Sequence, residues 1–197
     1  MGSKYPVHKI SFSLLPGSIA AGPKGQKLRL RWDRKAMTRR LAFVLELMCE
    51  GNSRVHIEFV DELQMGSLNW QFRGKDKPTD VLSFPPHPDV ETDAPESSRA
   101  RGVNLGELAV CVPVCATQAR SHRCSLAQEI ERMMIHGLVH LKGFDHERSD
   151  AAYAVMTLLE RGLRVQLNSA LGEPDFCEEE TAQAKRVTES PKRRTSR

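Results

Sequence analysis

Residues 136–146, "HGLVHLKGFDH", hold three of the seven histidines of the chain. Their pattern is H-x-x-x-H-x-x-G-x-x-H, with His136, His140 and His146 at the histidine positions. Residues four apart share a face of an α-helix, so His136 and His140 are predicted to project side by side. Glycine tolerates positive φ, so Gly143 allows a sharp turn that brings His146 back to the same point. The pattern therefore predicts a metal site on a helix and the loop that follows it.

The predicted donor set favours zinc. Three imidazoles bind Zn²⁺ at roughly 2.0–2.1 Å and leave a fourth position open. Because neutral ligands leave the ion its full charge, it can polarise a phosphoryl oxygen. We therefore expect one zinc ion per chain, with His136 serving catalysis as well as metal binding. The alternative is three unrelated surface histidines, and it is disfavoured because a third histidine follows a glycine at a loop-back spacing.

The residue after the first histidine is Gly137, where a zinc protease of the H-E-x-x-H type has its glutamate. That glutamate takes a proton from the water molecule at the metal. Glycine cannot do so, and peptide hydrolysis by that route is disfavoured. A substrate that brings its own anionic oxygen needs such a base less, which favours phosphodiesters.

Two carboxylates near the histidines are candidates for contacts around the metal site. Glu129 precedes His136 by seven residues, so it lies nearly on the same helical face but about two turns away. It is predicted to orient a ligand or bind the adjacent loop, with a plain surface carboxylate as the alternative. Asp145 stands beside His146 and is predicted either to support that ligand or to cap the turn.

The rest of the chain reads as alternating strands and helices. Ser125 and Gln128 fit a capping box for the metal helix, residues 126–140. Asp33 can cap an earlier helix. Further predicted helices, recognised by apolar periodicity and end signals, cover 34–50, 61–72, 113–122 and 150–170. Predicted strands cover 7–14, 55–60, 81–84 and 105–112, with loops at 15–32 and 73–80.

Length and composition indicate one soluble domain with a tail. The chain has 197 residues, of which 40% are hydrophobic and 27% charged, so a core can form. We predict a domain over residues 1–174, a long mobile loop at 85–103, and a disordered charged tail at 175–197. The sequence shows neither a membrane-spanning run nor a signal-peptide core, so we expect a cytoplasmic protein without membrane contact.

Positive charge is concentrated in residues 24–40, "KGQKLRLRWDRKAMTRR", which hold eight Lys or Arg against one Asp. A basic block of this kind near a core is typical of polyanion binding, for example of RNA. Arg29 and Arg31 are the candidate contacts in it. A solvated helix face is the alternative. The five cysteines include no C-x-x-C and are predicted to be structural, although the four-residue spacing of Cys111 and Cys115 also allows metal binding.

Two further motifs accompany the histidines in order: "LNWQFRGKDKPTDVLSFP" at 68–85 and "LGELAVCV" at 105–112. With them, residues 5–172 resemble the YbeY family of bacterial rRNA maturation factors, which are single-strand-specific metallo-endoribonucleases. The resemblance implies an α+β, zincin-like fold in which a small mixed β-sheet packs with helices. It also implies zinc at the three histidines.

The same resemblance implies that Arg73 acts in catalysis. A guanidinium is permanently charged and grips phosphate with two parallel hydrogen bonds, which agrees with that role. Lys75 lies two residues further along and is a weaker candidate for substrate contact. Read alone, either residue would be an ordinary surface charge.

The function expected from the resemblance is zinc-dependent hydrolysis of single-stranded RNA. It would serve ribosomal RNA processing, at the small-subunit 3′ end, and ribosome quality control. Expected partners are ribosomal RNA, the small ribosomal subunit and assembly factors. Two alternatives remain: a zincin-like metallopeptidase, which Gly137 disfavours, and a ribosome-assembly factor with a non-catalytic zinc. Structural zinc usually has four protein ligands, which argues against the second.

Overall fold

The structure is a computed structural model, and it describes residues 8–13, 19–20, 27–28, 30–49, 51–86, 102–146 and 149–179. The strands in this part are β1 Lys9–Ser13, β2 Ile19–Ala20, β3 Lys27–Leu28, β4 Leu30–Trp32, β5 Ser53–Val60, β6 Val81–Phe84, β7 Val103–Cys111 and β8 Cys177–Glu179. The helices are α1 Arg34–Met48, α2 Glu62–Arg73, α3 Val112–His122, α4 Leu126–Leu141 and α5 Asp150–Leu171.

A four-stranded mixed sheet organises the fold, in the order β1-β5-β7-β6. β1, β5 and β7 run parallel, and β6 joins the far side of β7 antiparallel. Parallel neighbours require helical crossovers, which α1 and α2 supply between the strands in sequence. This arrangement confirms the prediction of a small mixed sheet packed with helices.

Side-chain caps fix where the helices begin. The Asp33 carboxylate accepts a hydrogen bond from the Ala36 amide at 2.9 Å, as predicted for α1. Asp61 and Ser125 start α2 and α4 with complete capping boxes. The caps use local residues only, which is why sequence reasoning placed these three starts to within a residue.

The metal helix α4 is the central element of the core. Eleven of its sixteen residues are buried, and it packs against β6 and β7 on one side and α3 and α5 on others. A helix buried on most of its circumference has little freedom to shift, so side chains on its remaining face are held in fixed positions.

Three sequence predictions are corrected at the edges of the domain. The predicted loop at 15–32 contains β2, β3 and β4. The predicted loop at 85–103 ends earlier, because β7 begins at Val103, while residues 87–101 lie outside the described part. Arg73 is the last residue of α2 rather than the first of a loop.

The predicted disordered tail at 175–197 is wrong for its first five residues. β8 pairs antiparallel with β4, matching Trp32 with Cys177, and the Phe176 side chain is only 1% exposed. The Phe176 carbonyl also accepts a hydrogen bond from the Asp33 amide at 2.8 Å. The acidic composition suggested disorder, but one buried aromatic and a strand partner are enough to order the segment. Residues 180–197 lie outside the described part.

Part of the basic block also has a structural task. Arg40 is buried and forms a salt bridge with buried Glu131 of α4. Its guanidinium also donates to the Gly172 carbonyl at 2.7 Å and to Asn168 Oδ1 at 2.8 Å. Arg40 therefore joins α1 to α4 and to the end of α5, and it is not available to guide RNA.

The cysteines are thiols in the core or near it. All five are free, and Cys111, Cys115 and Cys177 are buried. Burial raises the pKa of Cys111 to about 12 and the pKa of Cys115 well above its ordinary value. Such thiols are poor metal ligands and nucleophiles, in line with the predicted structural role. None of the helices in the described part of the chain combines the length and hydropathy that a membrane span requires.

Candidate metal centre

One stripe of α4 reaches the surface. Gln128, Arg132, His136 and His140 are each half-buried, while most residues between them are buried. The spacing of four keeps these side chains on one face. Along residues 126–140, this stripe is the face of α4 that carries a partly exposed polar side chain at each turn.

The three histidines meet at the C-terminal end of this stripe. Nε2 of His136 lies 3.2 Å from Nε2 of His140. One ring nitrogen from each of His136, His140 and His146 can be chosen so that all three lie within 4.8 Å of one another. The ring centroids are 4.6–5.3 Å apart. Three nitrogens this close, on rings tilted to one another, form a set that can hold one metal ion.

The turn after α4 places the third histidine, as the sequence predicted. Gly143 has φ of +89°, and its amide donates to the His140 carbonyl at 2.8 Å. This left-handed conformation is easy for glycine and strained for other residues. The chain then reverses, and Asp145 and His146 face the helix that carries the other two ligands.

The pKa of one histidine of the cluster, His140, is shifted in the direction that suits a cation. Burial, followed by the neighbouring His136 and His146 rings, lowers the pKa of His140 and so favours its neutral, metal-binding form. Nδ1 of His146 is buried and has no hydrogen-bond partner among the described residues. An unsatisfied buried nitrogen is costly, and a bound ion that recruits this ring would offset part of that cost.

His136 has a carboxylate partner that sequence reasoning missed. Its Nδ1 lies 2.8 Å from Oε1 of Glu160, and both side chains are largely buried. Glu160 is on α5, and nothing in the local sequence distinguishes it from other acidic residues of an amphipathic helix. A carboxylate on Nδ1 fixes the ring orientation and the tautomer, so that Nε2 presents its lone pair to the metal.

Glu129 does not take that place. Its carboxylate is 1% exposed and is paired with Arg132 and His122. Burial alone would raise the pKa of Glu129, but the hydrogen bonds from Arg132 and His122 hold it below its ordinary value. Glu129 contacts His122 and Cys124 around the turn before α4, so these contacts support the predicted binding to an adjacent loop. The alternative of a plain surface carboxylate is wrong, because the side chain is buried.

A cavity of about 390 Å³ opens over the histidines. Arg73 lines it from the end of α2, Asp145 from the turn, and residues 79–83 from β6 and the segment before it. Gly74, in a left-handed conformation, ends α2 directly after Arg73. The structure thus brings Arg73 into one cavity with ligands that lie more than sixty residues away in sequence.

Asp80 is a second residue of the cavity that sequence reasoning did not single out. Burial alone would raise the pKa of Asp80, but hydrogen bonds from Gln118, the Val81 amide and Thr79 hold it below its ordinary value. It therefore stays ionised and fixes the segment that leads into β6. Asp80 lies within the motif "LNWQFRGKDKPTDVLSFP" quoted above, so its place in that motif could have marked it as a site residue.

Two of the other predicted substrate contacts, Lys75 and Arg31, do not line this cavity. Lys75 is exposed beyond the end of α2. Arg31 is exposed on β4, opposite Glu178 of β8. Arg29 lies outside the described residues. The structure therefore brings Arg73 to the histidines and leaves Lys75 and Arg31 outside the metal cavity.

Gly137 faces the sheet. A Cβ atom at this position would lie 2.7 Å from Cδ2 of the buried Leu108 and 3.2 Å from the Ser83 hydroxyl. That hydroxyl donates to the Gly137 carbonyl at 3.2 Å. α4 thus packs closely against β6 and β7 at this residue, and a glutamate side chain has no room there without movement of the core.

Residues 25–168 match the family model described as Endoribonuclease YbeY. The chain belongs to this family. The match includes the helix of the metal ligands, the turn with His146 and the segment with Arg73, and it confirms the resemblance seen in the sequence. It also confirms that the protein is a hydrolytic enzyme.

YbeY relatives named Endoribonuclease YbeY are similar over most of the chain. The relative from Pseudomonas entomophila is 37% identical over 174 residues, which cover 87% of this chain and 96% of that protein. The relative from Persephonella marina is 38% identical over 117 residues, 59% of this chain and 72% of that protein. A Thermotoga maritima protein of known solution structure aligns over 86% of this chain and 97% of its own, with 23% identity and a TM-score of 0.47.

Proposed function

We propose that this YbeY protein is a zinc-dependent endoribonuclease that hydrolyses phosphodiester bonds of single-stranded RNA. The observation that carries the proposal is the shared cavity of Arg73 and the three histidines. A guanidinium opposite a metal site is a suitable arrangement for an anionic phosphodiester. The names of the relatives support RNA as the substrate.

The proposed cofactor is one zinc ion per chain at His136, His140 and His146, on a helix and the following turn in a zincin-like arrangement. Three imidazole donors with an open position are typical of catalytic rather than structural zinc. When bound, zinc supplies a Lewis acid for the phosphoryl group. Glu160 holds the His136 ring in the orientation that ligation requires.

The protein's own groups divide the remaining work. Arg73 binds the scissile phosphate and stabilises the charge that develops on it. Asp145, half-buried beside His146, supports the turn that carries the third ligand. Gly137 keeps α4 against the sheet, where a proton-accepting glutamate of the protease type is absent.

The biological setting is part of the proposal. We place the enzyme in the cytoplasm, in ribosomal RNA processing at the small-subunit 3′ end and in ribosome quality control. Its proposed partners are ribosomal RNA, the small subunit and assembly factors. Lys75, Arg29 and Arg31 are proposed as outlying contacts for RNA, since exposed basic residues near a cleft attract a polyanion.

The test is cleavage by the full-length protein. Labelled single-stranded RNA and casein are each incubated with protein, with and without a metal chelator, and with zinc restored after chelation. We expect RNA cleavage that chelation abolishes and zinc restores. Cleavage of casein alone would mean a peptidase. A zinc-containing protein that cleaves neither would point to an assembly factor.

Arg73 gives the sharper test. Arg73→Ala is expected to lower the single-turnover rate on single-stranded RNA on the order of a hundredfold or more, with zinc content unchanged. Arg73→Lys should restore little, because lysine keeps the charge without the two-pronged geometry. The control is Arg120→Ala, which removes an exposed arginine from α3. Wild-type cleavage by Arg73→Ala would remove this residue from the mechanism, and loss of zinc would reassign it to the fold.

A further inference from the structure

A second, larger cavity of about 670 Å³ lies between α4 and α5, toward the N-terminal half of α4. Three arginines line it: Arg132 of α4, and Arg161 and Arg164 of α5. None of the three belongs to the basic block at 24–40 or to the motifs of the family resemblance. Three carboxylates, of Glu129, Glu131 and Glu173, line it as well, so its charge depends on which of these groups are already paired.

The acidic residues of the cavity already have partners. Glu129 is paired with Arg132 and His122. Glu131 is paired with Arg40, which lies behind the cavity. These contacts neutralise both carboxylates.

The third carboxylate, Glu173, accepts hydrogen bonds from two side-chain amides. Gln128 Nε2 lies 2.9 Å from one oxygen and Asn168 Nδ2 lies 3.1 Å from the other. Both oxygens thus accept hydrogen bonds from neutral groups.

Arg161 is exposed to solvent, and Arg164 interacts electrostatically with the Glu131 carboxylate without a hydrogen bond to it. No hydrogen bond or ion pair joins either guanidinium to another residue in the described part of the chain, and Arg164 Nε is buried without a partner. A buried N–H group without an acceptor costs free energy. The buried Nε of Arg164 and the exposed guanidinium of Arg161, at one cavity, favour an anion with several acceptor oxygens.

The cavity continues the metal centre along the same two helices. Arg132 lies one turn before His136 on the polar stripe of α4. On α5, Arg161 and Arg164 follow Glu160, the carboxylate that contacts His136. The His136–Glu160 contact thus joins the same two helices between the metal cavity, which His136 lines, and the arginines of the second cavity.

We propose that this cavity is a binding subsite for backbone phosphates of single-stranded RNA, next to the phosphate that is cleaved. The proposal rests on the proposed endoribonuclease function and adds a path for the substrate strand. Phosphate oxygens supply the acceptors that Arg161 and Arg164 lack. A flexible single strand can bend over the His136–Glu160 contact.

The experiment measures the affinity of zinc-loaded protein for a fluorescent single-stranded RNA homopolymer over a series of salt concentrations. Arg161→Gln and Arg164→Gln are each expected to weaken binding about fourfold at 0.15 M salt, and to reduce the slope of log K against log salt by about 0.7. Arg161→Lys and Arg164→Lys should retain most of that slope, because they keep the charge. The control is Lys9→Gln, which removes one exposed charge on β1.

Cleavage of the same RNA by wild type separates this proposal from the proposed function. If wild type cleaves the RNA and both glutamine variants bind it like wild type, the subsite is overturned and the endoribonuclease stands. If both variants lose affinity but wild type cleaves no RNA, the subsite stands and the enzyme assignment fails. Should wild type bind no RNA, both fail. Arg161 is exposed, so Arg161→Gln keeps the test valid even if Arg164→Gln fails to fold.

Discussion

The two halves of α4 carry polar clusters that are assembled in different ways. The C-terminal half supplies His136 and His140, and His146 follows within the next turn. The N-terminal half supplies Glu131, whose partner Arg40 lies 91 residues earlier on α1. The first cluster needs only one helix and one glycine turn, whereas the second exists only after distant helices have packed. Clusters built from near neighbours can therefore be predicted from sequence, whereas pairs formed between distant helices cannot.

The largest effect is expected when one histidine of the metal cluster is removed. His140→Ala should remove the bound zinc and abolish RNA cleavage, because two remaining imidazoles hold zinc poorly. The fold should persist, since the residue is half-buried and the core lies on the other faces of α4. Elemental analysis, circular dichroism and single-turnover cleavage check the prediction. His56→Ala, a histidine of β5 outside the cluster, is the control and should keep its zinc. Full zinc occupancy in His140→Ala would rule out the proposed site.

Breaking the second cluster should affect stability instead. Arg40→Ala leaves the buried Glu131 carboxylate without its charge partner, and we expect the free energy of unfolding to fall by about 3–5 kcal/mol. Denaturant unfolding measures the change. Arg39→Ala is a matched control on the same helix, because Arg39 is exposed, and its effect should stay within about 0.5 kcal/mol. If both substitutions lowered the free energy of unfolding equally, the buried pair would contribute no more to stability than an exposed arginine does.

Glu160 connects a distant helix, α5, to the histidine cluster of α4. Glu160→Gln keeps the size of the side chain but loses the charge that orients His136. Zinc affinity should fall about 10–100-fold, with the fold retained. Competition with a chelator of known affinity measures it, and Glu46→Gln, on the exposed face of α1, is the control. An unchanged affinity would show that the His136 ring needs no support from α5.

The smallest expected effect concerns the packing of α4 on the sheet. Gly137→Ala places a Cβ atom 2.7 Å from Leu108, and overpacking costs about 1–3 kcal/mol. Alanine's better helix propensity returns about 1 kcal/mol, so a net loss of about 1 kcal/mol is expected in thermal or denaturant unfolding. Gly66→Ala has open space around its Cβ atom and should raise stability by up to about 1 kcal/mol. If Gly137→Ala raised the stability instead, the Leu108 side chain would be able to move aside without loss of packing energy.

Features of this protein that depend on near neighbours along the chain could be predicted from the amino-acid sequence. The i, i+4 histidines and the glycine turn define the metal cluster, and the capping residues Asp33, Asp61 and Ser125 define helix starts. In each case, the partner lies within ten residues, so helical geometry and turn geometry are sufficient.

The pairing of distant charges became visible only in the folded protein. Arg40 looked like part of an RNA-binding block and is instead the partner of Glu131, while β8 forms in a segment whose composition suggested disorder. Glu160, Arg161 and Arg164 acquire their places only when α5 packs beside α4. Pairing of this kind depends on the positions of whole helices, which are set by burial of apolar surface throughout the core. A charged side chain carries no local sign of the partner that the packed core will bring to it.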